Sequence, residues 1–174
     1  MAQPASAEAE PLFASAYDAL AFAFRFNAQQ YAPTPMARLM RGSIGSGKGL
    51  VGIDGAAQAG FILGVVERLG EWEKAALAAR FALDRKELFR ARDALITPAM
   101  AALGTGVHHR RMVDALVQKH FGRKVKLKEV AETYQVNKNT LTDQWRIIRK
   151  TLHEVECRAM DKAEAMLRES GVCL

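Results

Sequence analysis

The chain has 174 residues and a mass of 19.1 kDa, with 25 Lys and Arg against 19 Asp and Glu, a formal net charge of +6. At 49% apolar and 25% charged residues, the composition is that of a globular protein and excludes a disordered chain. Two cysteines cannot build a disulfide scaffold, and no uncharged apolar run reaches the roughly 18 residues of a membrane helix. The acidic, alanine-rich N-terminus is unlike a signal peptide, so we expect a cytoplasmic protein with no membrane partner.

The positive charge is concentrated in one part of the chain. Residues 1–100 carry 11 basic and 10 acidic side chains, residues 101–150 carry 11 and 4, and residues 151–174 carry 3 and 5. Clustered Lys and Arg are what the neutralisation of nucleic-acid phosphates requires, although a basic run is more often only a solvated face. We therefore expect a polyanionic partner to contact residues 101–150.

The first half of the chain shows helical spacing of apolar residues and no convincing β-strand. The spacing predicts a helix from Leu12 to Gln30, which Pro33 and Pro35 must end. Asp54 is suited to cap a second helix. Six side chains are expected to form the buried stripe of that helix: Ala57, Phe61, Ile62, Val65, Val66 and Leu69.

Two further helices precede the basic window. One begins after Gly70 and is expected to bury Leu77, Phe81 and Trp72. The other spans residues 84–103, with a bend or break at Pro98. The pattern as a whole predicts an all-α helical bundle with a long terminal helix. Its expected parts are an N-terminal helix (1–30), a helical body with a glycine-rich loop (31–103) and a basic C-terminal region (104–174).

Residues 127–145 have the pattern of a DNA-reading helix-turn-helix. Small and apolar side chains occupy the positions where its two helices would pack: Val130, Ala131, Tyr134, Val136 and Leu141. Asn137 is suited to cap the second helix. Gln135 stands in the turn where glycine is common, and an ordinary helical hairpin would show similar packing residues. The pattern therefore predicts a helix-turn-helix, with a plain hairpin as the alternative.

The second helix of this motif would enter the major groove of double-stranded DNA with its first turns. Its outward positions are Asn137, Lys138, Asn139, Thr142, Asp143 and Arg146. Asparagine can pair with adenine, and lysine and arginine with guanine or phosphate. Four nearby cations are also expected at the DNA surface: Lys126, Lys128, Arg110 and Arg111.

An apolar seam continues beyond the motif and predicts a long terminal helix. Its residues alternate four and three positions apart: Leu141, Trp145, Ile148, Leu152, Val155 and Ala159, with Met166 continuing the stripe. Such spacing is typical of helix pairs. The seam therefore predicts either a homodimer interface or a tail that folds back on residues 53–103 of its own chain.

The glycine-rich loop at 42–49 (GSIGSGKG) nearly matches a phosphate-binding loop. Gly49 stands where that loop needs Ser or Thr for magnesium, and the preceding residues do not form an apolar strand. A loop that orders on a phosphate backbone or a protein partner, or an idle connector, fits the sequence better. No catalytic or metal-binding arrangement is found, so we expect neither an enzyme nor a cofactor.

The order of these features resembles two groups of transcription proteins. Residues 127–152 resemble the fourth region of bacterial sigma factors, which also joins a helix-turn-helix to a continuing amphipathic helix. More broadly, the chain resembles the late-gene antitermination proteins (Q) of lambdoid phages, in the branch that lacks a zinc finger. The similar segments are Tyr31-Ala-Pro33, Gly49-Leu50 through Ile53-Asp54 to Val66-Glu-Arg-Leu69, the helix around Leu77–Phe81 and the C-terminal helix-turn-helix. The resemblance covers residues 31–155, apart from residues 84–120, which do not align.

This resemblance implies a phage or prophage regulator that binds DNA near a late promoter. Such a protein engages RNA polymerase paused near the start and makes it ignore terminators. Five residues would then contact DNA: Asn137, Lys138, Asn139, Thr142 and Arg146. The alternatives are a repressor or sigma-like factor, and a phage DNA-packaging protein such as a terminase small subunit.

Overall fold

The computed structural model describes residues 11–30, 52–106 and 108–174. These residues form seven helices: α1 (Ala16–Gln30), α2 (Gly52–Glu67), α3 (Glu71–Phe81), α4 (Arg85–Ala102), α5 (Arg110–His120), α6 (Leu127–Thr133) and α7 (Lys138–Glu169). The described ranges contain no β-strand, only an isolated bridge between Phe13 and Cys173. The predicted all-α fold with a long terminal helix is confirmed. None of the seven helices is long and apolar enough to cross a membrane.

Two predictions fall outside the described residues. They are the helix break at Pro33 and Pro35 and the glycine-rich loop at 42–49. Both stay predictions, as does any role of that loop in binding a partner.

The buried side chains form two clusters, and α7 belongs to both. The first cluster joins α1, α2 and the end of α3 to the last turns of α7, where Ala159, Ala163 and Leu167 are buried. The second joins α3, α4, α5 and α6 to the first half of α7, where Leu141 and Ile148 are fully buried. A helix of 32 residues is about 48 Å long, enough to run the length of both clusters. The terminal helix is therefore the central element of the fold.

The predicted apolar seam lies inside this chain. Leu141, Ile148, Leu152, Val155 and Ala159 are buried against the preceding helices, as the fold-back interpretation expects. Trp145 and Met166 are only partly buried at its margins. The seam residues are consequently occupied by the chain's own helices, and a homodimer through α7 would have to use the exposed sides of the helix.

Helix α4 continues past an internal proline, and tertiary packing stabilises it there. Asp84 caps the helix, because its carboxylate accepts hydrogen bonds from the backbone N–H groups of Lys86 and Glu87 at 2.9 and 3.0 Å. The sequence predicts a bend or a break at Pro98; the break does not occur, and the helix continues to Ala102. An interior proline costs about 3 kcal/mol. Pro98 and its neighbours Leu95, Ile96 and Ala99 are buried, which offsets that cost.

Helix α2 presents a different face from the predicted one. It begins at Gly52, so Asp54 lies in its first turn and is not the cap. Ala57 and Phe61 are exposed. The buried predicted residues are Ile62, Val65, Val66 and Leu69. Glycine and alanine are spread around this helix, so its apolar pattern does not define one face sharply.

In α3 the buried position is one residue later than expected. Trp72 is 44% exposed, whereas Glu73 is only 8% exposed. The Glu73 carboxylate accepts a hydrogen bond from the backbone N–H of Gly70 at 3.0 Å and another from the Lys162 ammonium at 2.7 Å. The hydrogen bond from Lys162 lowers the pKa of Glu73. This capping interaction and ion pair turn Glu73 inward and leave Trp72 at the surface.

Candidate nucleic-acid interface

Helices α6 and α7 are joined by a tight turn at residues 134–137. The first helix ends at Thr133, and the second begins at Lys138. Gln135 adopts a left-handed conformation with φ 54°, at the turn position where glycine is common. The backbone N–H of Val136 donates to the Ala131 carbonyl at 3.0 Å and closes the turn. The backbone conformation expected of the motif is therefore present although the glycine is not.

The packing positions of the motif are filled as the sequence predicts. Val130, Ala131 and Leu141 are buried where the two helices meet, and Tyr134 and Val136 are partly buried around the turn. Helix α5 lies beneath them and contributes four buried side chains: Met112, Val113, Leu116 and Val117. Together α5, α6 and the first turns of α7 form a three-helix unit. This unit holds the start of α7 at the surface.

Some of the predicted base-reading side chains hydrogen-bond to the backbone of their own helix, and others are exposed to solvent. Asn137 caps α7, because its Oδ1 accepts a hydrogen bond from the backbone N–H of Asn139 at 2.8 Å. The Thr142 hydroxyl donates to the Lys138 carbonyl at 2.8 Å. The side chains of Lys138, Asn139 and Arg146 are exposed. Direct contact with bases therefore fits Lys138, Asn139 and Arg146 better than Asn137 or Thr142.

Most of the predicted cations already have a carboxylate beside them. The ion pairs are Arg146–Asp143 at 3.2 Å, Lys126–Glu129 at 2.8 Å, Lys128–Glu132 at 3.9 Å and Arg110–Asp93 at 2.6 Å. In Lys126 the hydrogen bond to Glu129 raises the pKa of the ammonium group. Arg111 is exposed at the start of α5, where it lines a hollow of about 200 Å³ beside Arg110 and Phe89. Exposed pairs of this kind are weak, so they do not prevent contact with phosphates.

A further group of positive charges lies in a cleft that the sequence prediction missed. This basic cleft, of about 870 Å³, opens between one flank of α7 and the end of α5 with its following connector. Seven Lys and Arg line it against the single carboxylate of Glu156: Arg80, Lys119, Arg123, Lys124, Arg146, Arg149 and Lys150. Only Arg146 among them was predicted as a site residue. The helical spacing of residues 146, 149, 150 and 153 was the available signal, because it places them on one side of α7.

Glu156 lies at the base of the cleft and is held by two partners. Its side chain is 13% exposed; it accepts one hydrogen bond from Arg80 at 2.5 Å and pairs with His120 at 3.1 Å. Burial raises the pKa of Glu156, but the hydrogen bonds with His120 and Arg80 outweigh burial and lower that pKa to about 2. The hydrogen bond between Arg80 and Glu156 also raises the pKa of Arg80. The Glu156 carboxylate is thus ionised, and Arg80 and His120 lie beside its charge. It therefore repels an anion in the cleft only weakly.

An apolar side chain on the outer side of α7 was also missed. Ile147 is 44% exposed and directly follows Arg146. It lies four residues after Asp143 and three before Lys150, so the three side chains share one face of the helix. An apolar group among polar ones suits contact with a thymine methyl group in the major groove.

The outer face of α7 and the basic cleft adjoin, because Arg146 belongs to both. No family model and no curated protein matches the chain. The assignment of function therefore depends on this geometry and on the sequence pattern.

Proposed function

We propose that this protein is a sequence-specific DNA-binding transcription regulator of phage or prophage type. The observation that carries the proposal is the α6–turn–α7 backbone, with left-handed Gln135 and capping Asn137 at the entry to an exposed polar helix. In this geometry the first turns of the second helix enter the major groove. The basic surface supports the same conclusion, since duplex DNA is a polyanion.

The chemistry of the outer side chains suggests their roles. Asn139 can pair bidentately with adenine, and Arg146 with guanine. Asp143, which faces the same side as Arg146, can accept a hydrogen bond from cytosine once the ion pair opens. Four exposed cations would contact phosphates on either side: Lys126, Lys128, Arg110 and Arg111. DNA binding by these side chains requires neither an enzyme active site nor a cofactor.

The specific activity we propose is transcription antitermination in the cytoplasm, with RNA polymerase as the protein partner. The resemblance to the zinc-less Q proteins supports it, because the segments occur in the same order along the chain. A repressor, a sigma-like factor and a DNA-packaging protein share the helix-turn-helix and are the alternatives.

Base reading can be tested by selecting preferred duplexes from a random pool with the full-length protein. We expect Asn139→Ala or Arg146→Ala to weaken binding to the selected duplex by about 1–3 kcal/mol, with a much smaller effect on a scrambled duplex. Arg90→Ala is the matched control, because Arg90 is exposed on α4 away from the motif. Equal losses on both duplexes would contradict direct readout.

Antitermination needs a separate experiment. Purified RNA polymerase would transcribe a template that carries the selected duplex beside a promoter and a terminator downstream. The proposal predicts read-through of the terminator with wild-type protein and much less with Asn139→Ala. Binding to the promoter that leaves termination unchanged would instead favour a repressor or sigma-like factor.

A further inference from the structure

We propose that the basic cleft clamps the phosphodiester backbone of the DNA duplex that α7 reads. Two of the groups that line the cleft would hold the phosphates, Lys124 on the α5–α6 connector and Arg149 on α7. The inference rests on the proposed function, because it places the duplex by the start of α7. It adds a binding site whose residues lie outside the helix-turn-helix itself.

The position of the cleft fits a bound duplex. In three-helix DNA-binding units, the loop between the first two helices and the later part of the third contact the backbone. Here that loop carries Arg123 and Lys124, and the later part of α7 carries Arg149 and Lys150. Arg149 lies ten residues, or about 15 Å, along α7 from Asn139. This distance is comparable with the roughly 12 Å width of the major groove, so a helix reading bases at Asn139 reaches a bounding strand near Arg149.

Two of the cations that line the cleft, Lys124 and Arg149, are free to meet an anion. Throughout the part of the chain that the structure describes, Lys124 and Arg149 form no ion pair. Lys150 has only a long contact of 4.0 Å with exposed Glu154. By contrast, the cations predicted around the motif at Lys126 and Lys128 each have a carboxylate beside them. Lys124 and Arg149 are therefore available to neutralise phosphates without first breaking an ion pair.

Two other cations line the cleft but are already engaged. The Lys119 ammonium donates to the Val125 carbonyl at 2.7 Å, and the Arg123 guanidinium donates to the side chain of Gln118. These bonds tie the connector to the end of α5. We therefore assign direct phosphate contact to Lys124 and Arg149, with Lys119 and Arg123 as positioning residues.

The surroundings of Trp145 favour a duplex backbone over a single strand. Sites for single-stranded nucleic acid pair a basic groove with aromatic rings on which bases stack. Trp145 lines this cleft, but the Lys119 ammonium lies 5.8 Å from the centre of its ring, and the ring is half-buried. That ring face is already covered by a cation of the protein. The cleft thus offers charge for phosphates without an open platform for a base.

The test compares the double variant Lys124→Ala/Arg149→Ala with Arg85→Ala/Lys86→Ala, a matched pair of exposed cations at the start of α4. Fluorescence anisotropy would measure Kd for the selected duplex and a scrambled duplex over a range of salt concentrations. We expect the slope of log Kd against log salt to fall by about two in the cleft variant, roughly one for each phosphate contact. The loss of affinity in the cleft variant should be equal for both duplexes. The single variant Arg149→Lys should keep the wild-type slope. Circular dichroism melts would confirm that all variants fold.

The outcomes separate this proposal from the proposed function. A cleft variant with the wild-type slope on both duplexes would overturn the clamp and leave base reading by α7 intact. A wild-type protein that binds every duplex alike, with the slope still reduced in the cleft variant, would support the clamp and contradict sequence-specific reading. Tighter binding of a single-stranded oligonucleotide than of duplex, abolished in the cleft variant, would overturn the clamp in favour of a single-strand site.

Discussion

The Nε2 atom of His120 lies 3.1 Å from the Oε2 atom of Glu156 and joins the end of α5 to α7 beneath the basic cleft. The other oxygen of the same carboxylate accepts a hydrogen bond from Arg80 of α3 at 2.5 Å. One carboxylate therefore connects three helices. Because Lys and Arg side chains line the cleft above it, their mutual repulsion acts against folding, and Glu156 offsets part of that repulsion.

Removing this charge should destabilise the fold. The shift of the pKa of Glu156 from 4.5 to about 2 corresponds to roughly 3 kcal/mol. We expect Glu156→Gln to lower the free energy of unfolding by about 2–3 kcal/mol at neutral pH, measured by urea denaturation. Glu154→Gln is the matched control, because Glu154 is exposed and its contact with Lys150 is long, at 4.0 Å. We expect it to change the free energy of unfolding by less than about 0.5 kcal/mol.

The same carboxylate predicts a pH dependence with a definite sign. A carboxyl group whose pKa is depressed in the folded state stabilises that state fully above its usual pKa of 4.5. The stabilisation is lost as the pH falls toward about 2. The stability difference between wild type and Glu156→Gln should therefore shrink across this interval. A difference that stays constant from pH 4.5 to about 2 would contradict the ion pair as its source.

Gln135 makes the turn of the motif testable without DNA. A residue other than glycine pays for its φ of 54°, since side chains disfavour the left-handed region. Gln135→Gly should leave the protein as stable as wild type or more stable by up to about 1 kcal/mol. Gln135→Val should destabilise it by more than about 1 kcal/mol, because β-branched residues tolerate this conformation poorly. Thermal melts that rank the valine variant equal to the glycine variant would show that the turn is not left-handed.

The cap of α7 gives a second stability test. Asn137→Ala removes the hydrogen bond to the backbone N–H of Asn139 and should cost about 1 kcal/mol in urea denaturation. Asn137→Asp keeps an acceptor at the same place and should retain most of the stability. Thr140→Ala is the control within the same turn, because Thr140 is exposed. An alanine variant at 137 as stable as this control would argue against the cap.

The sequence predicted the two helices of residues 127–145 and the turn between them well, because several local signals agree there. Ala131, Leu141 and Asn137 each satisfy a separate physical requirement, and all three requirements depend on neighbours close in the chain. Which side chains of α2 and α3 would be buried was harder to predict. Trp72 is more apolar than Glu73, yet an ion pair with Lys162, 89 residues away, places Glu73 inside. Hydropathy alone cannot anticipate a distant partner of that kind.

The basic cleft could be predicted only in part. The charge excess of residues 101–150 pointed to the correct region. It did not show that Lys124 and Arg149 would line the same cleft, or that Arg80 from α3 would line it too. That arrangement depends on how α5 and α3 pack against α7, which is a property of the tertiary fold. Neighbouring carboxylates such as Glu129 and Glu132 could be read as local partners of Lys126 and Lys128 from helical spacing.

Two adjacent isoleucines allow the roles of the two sides of α7 to be separated. Ile148 is fully buried in the second cluster, whereas Ile147 is 44% exposed on the outer face. Ile148→Ala should lower the free energy of unfolding by about 2–5 kcal/mol, because it leaves a cavity in the core. Ile147→Ala should change stability by less than about 0.5 kcal/mol. If Ile147 contacts a thymine methyl group, that variant should also lose the preference for thymine at one position in a repeated duplex selection. Unchanged base preference in a folded Ile147→Ala protein would remove Ile147 from the reading surface, while loss of stability would place it in the core instead.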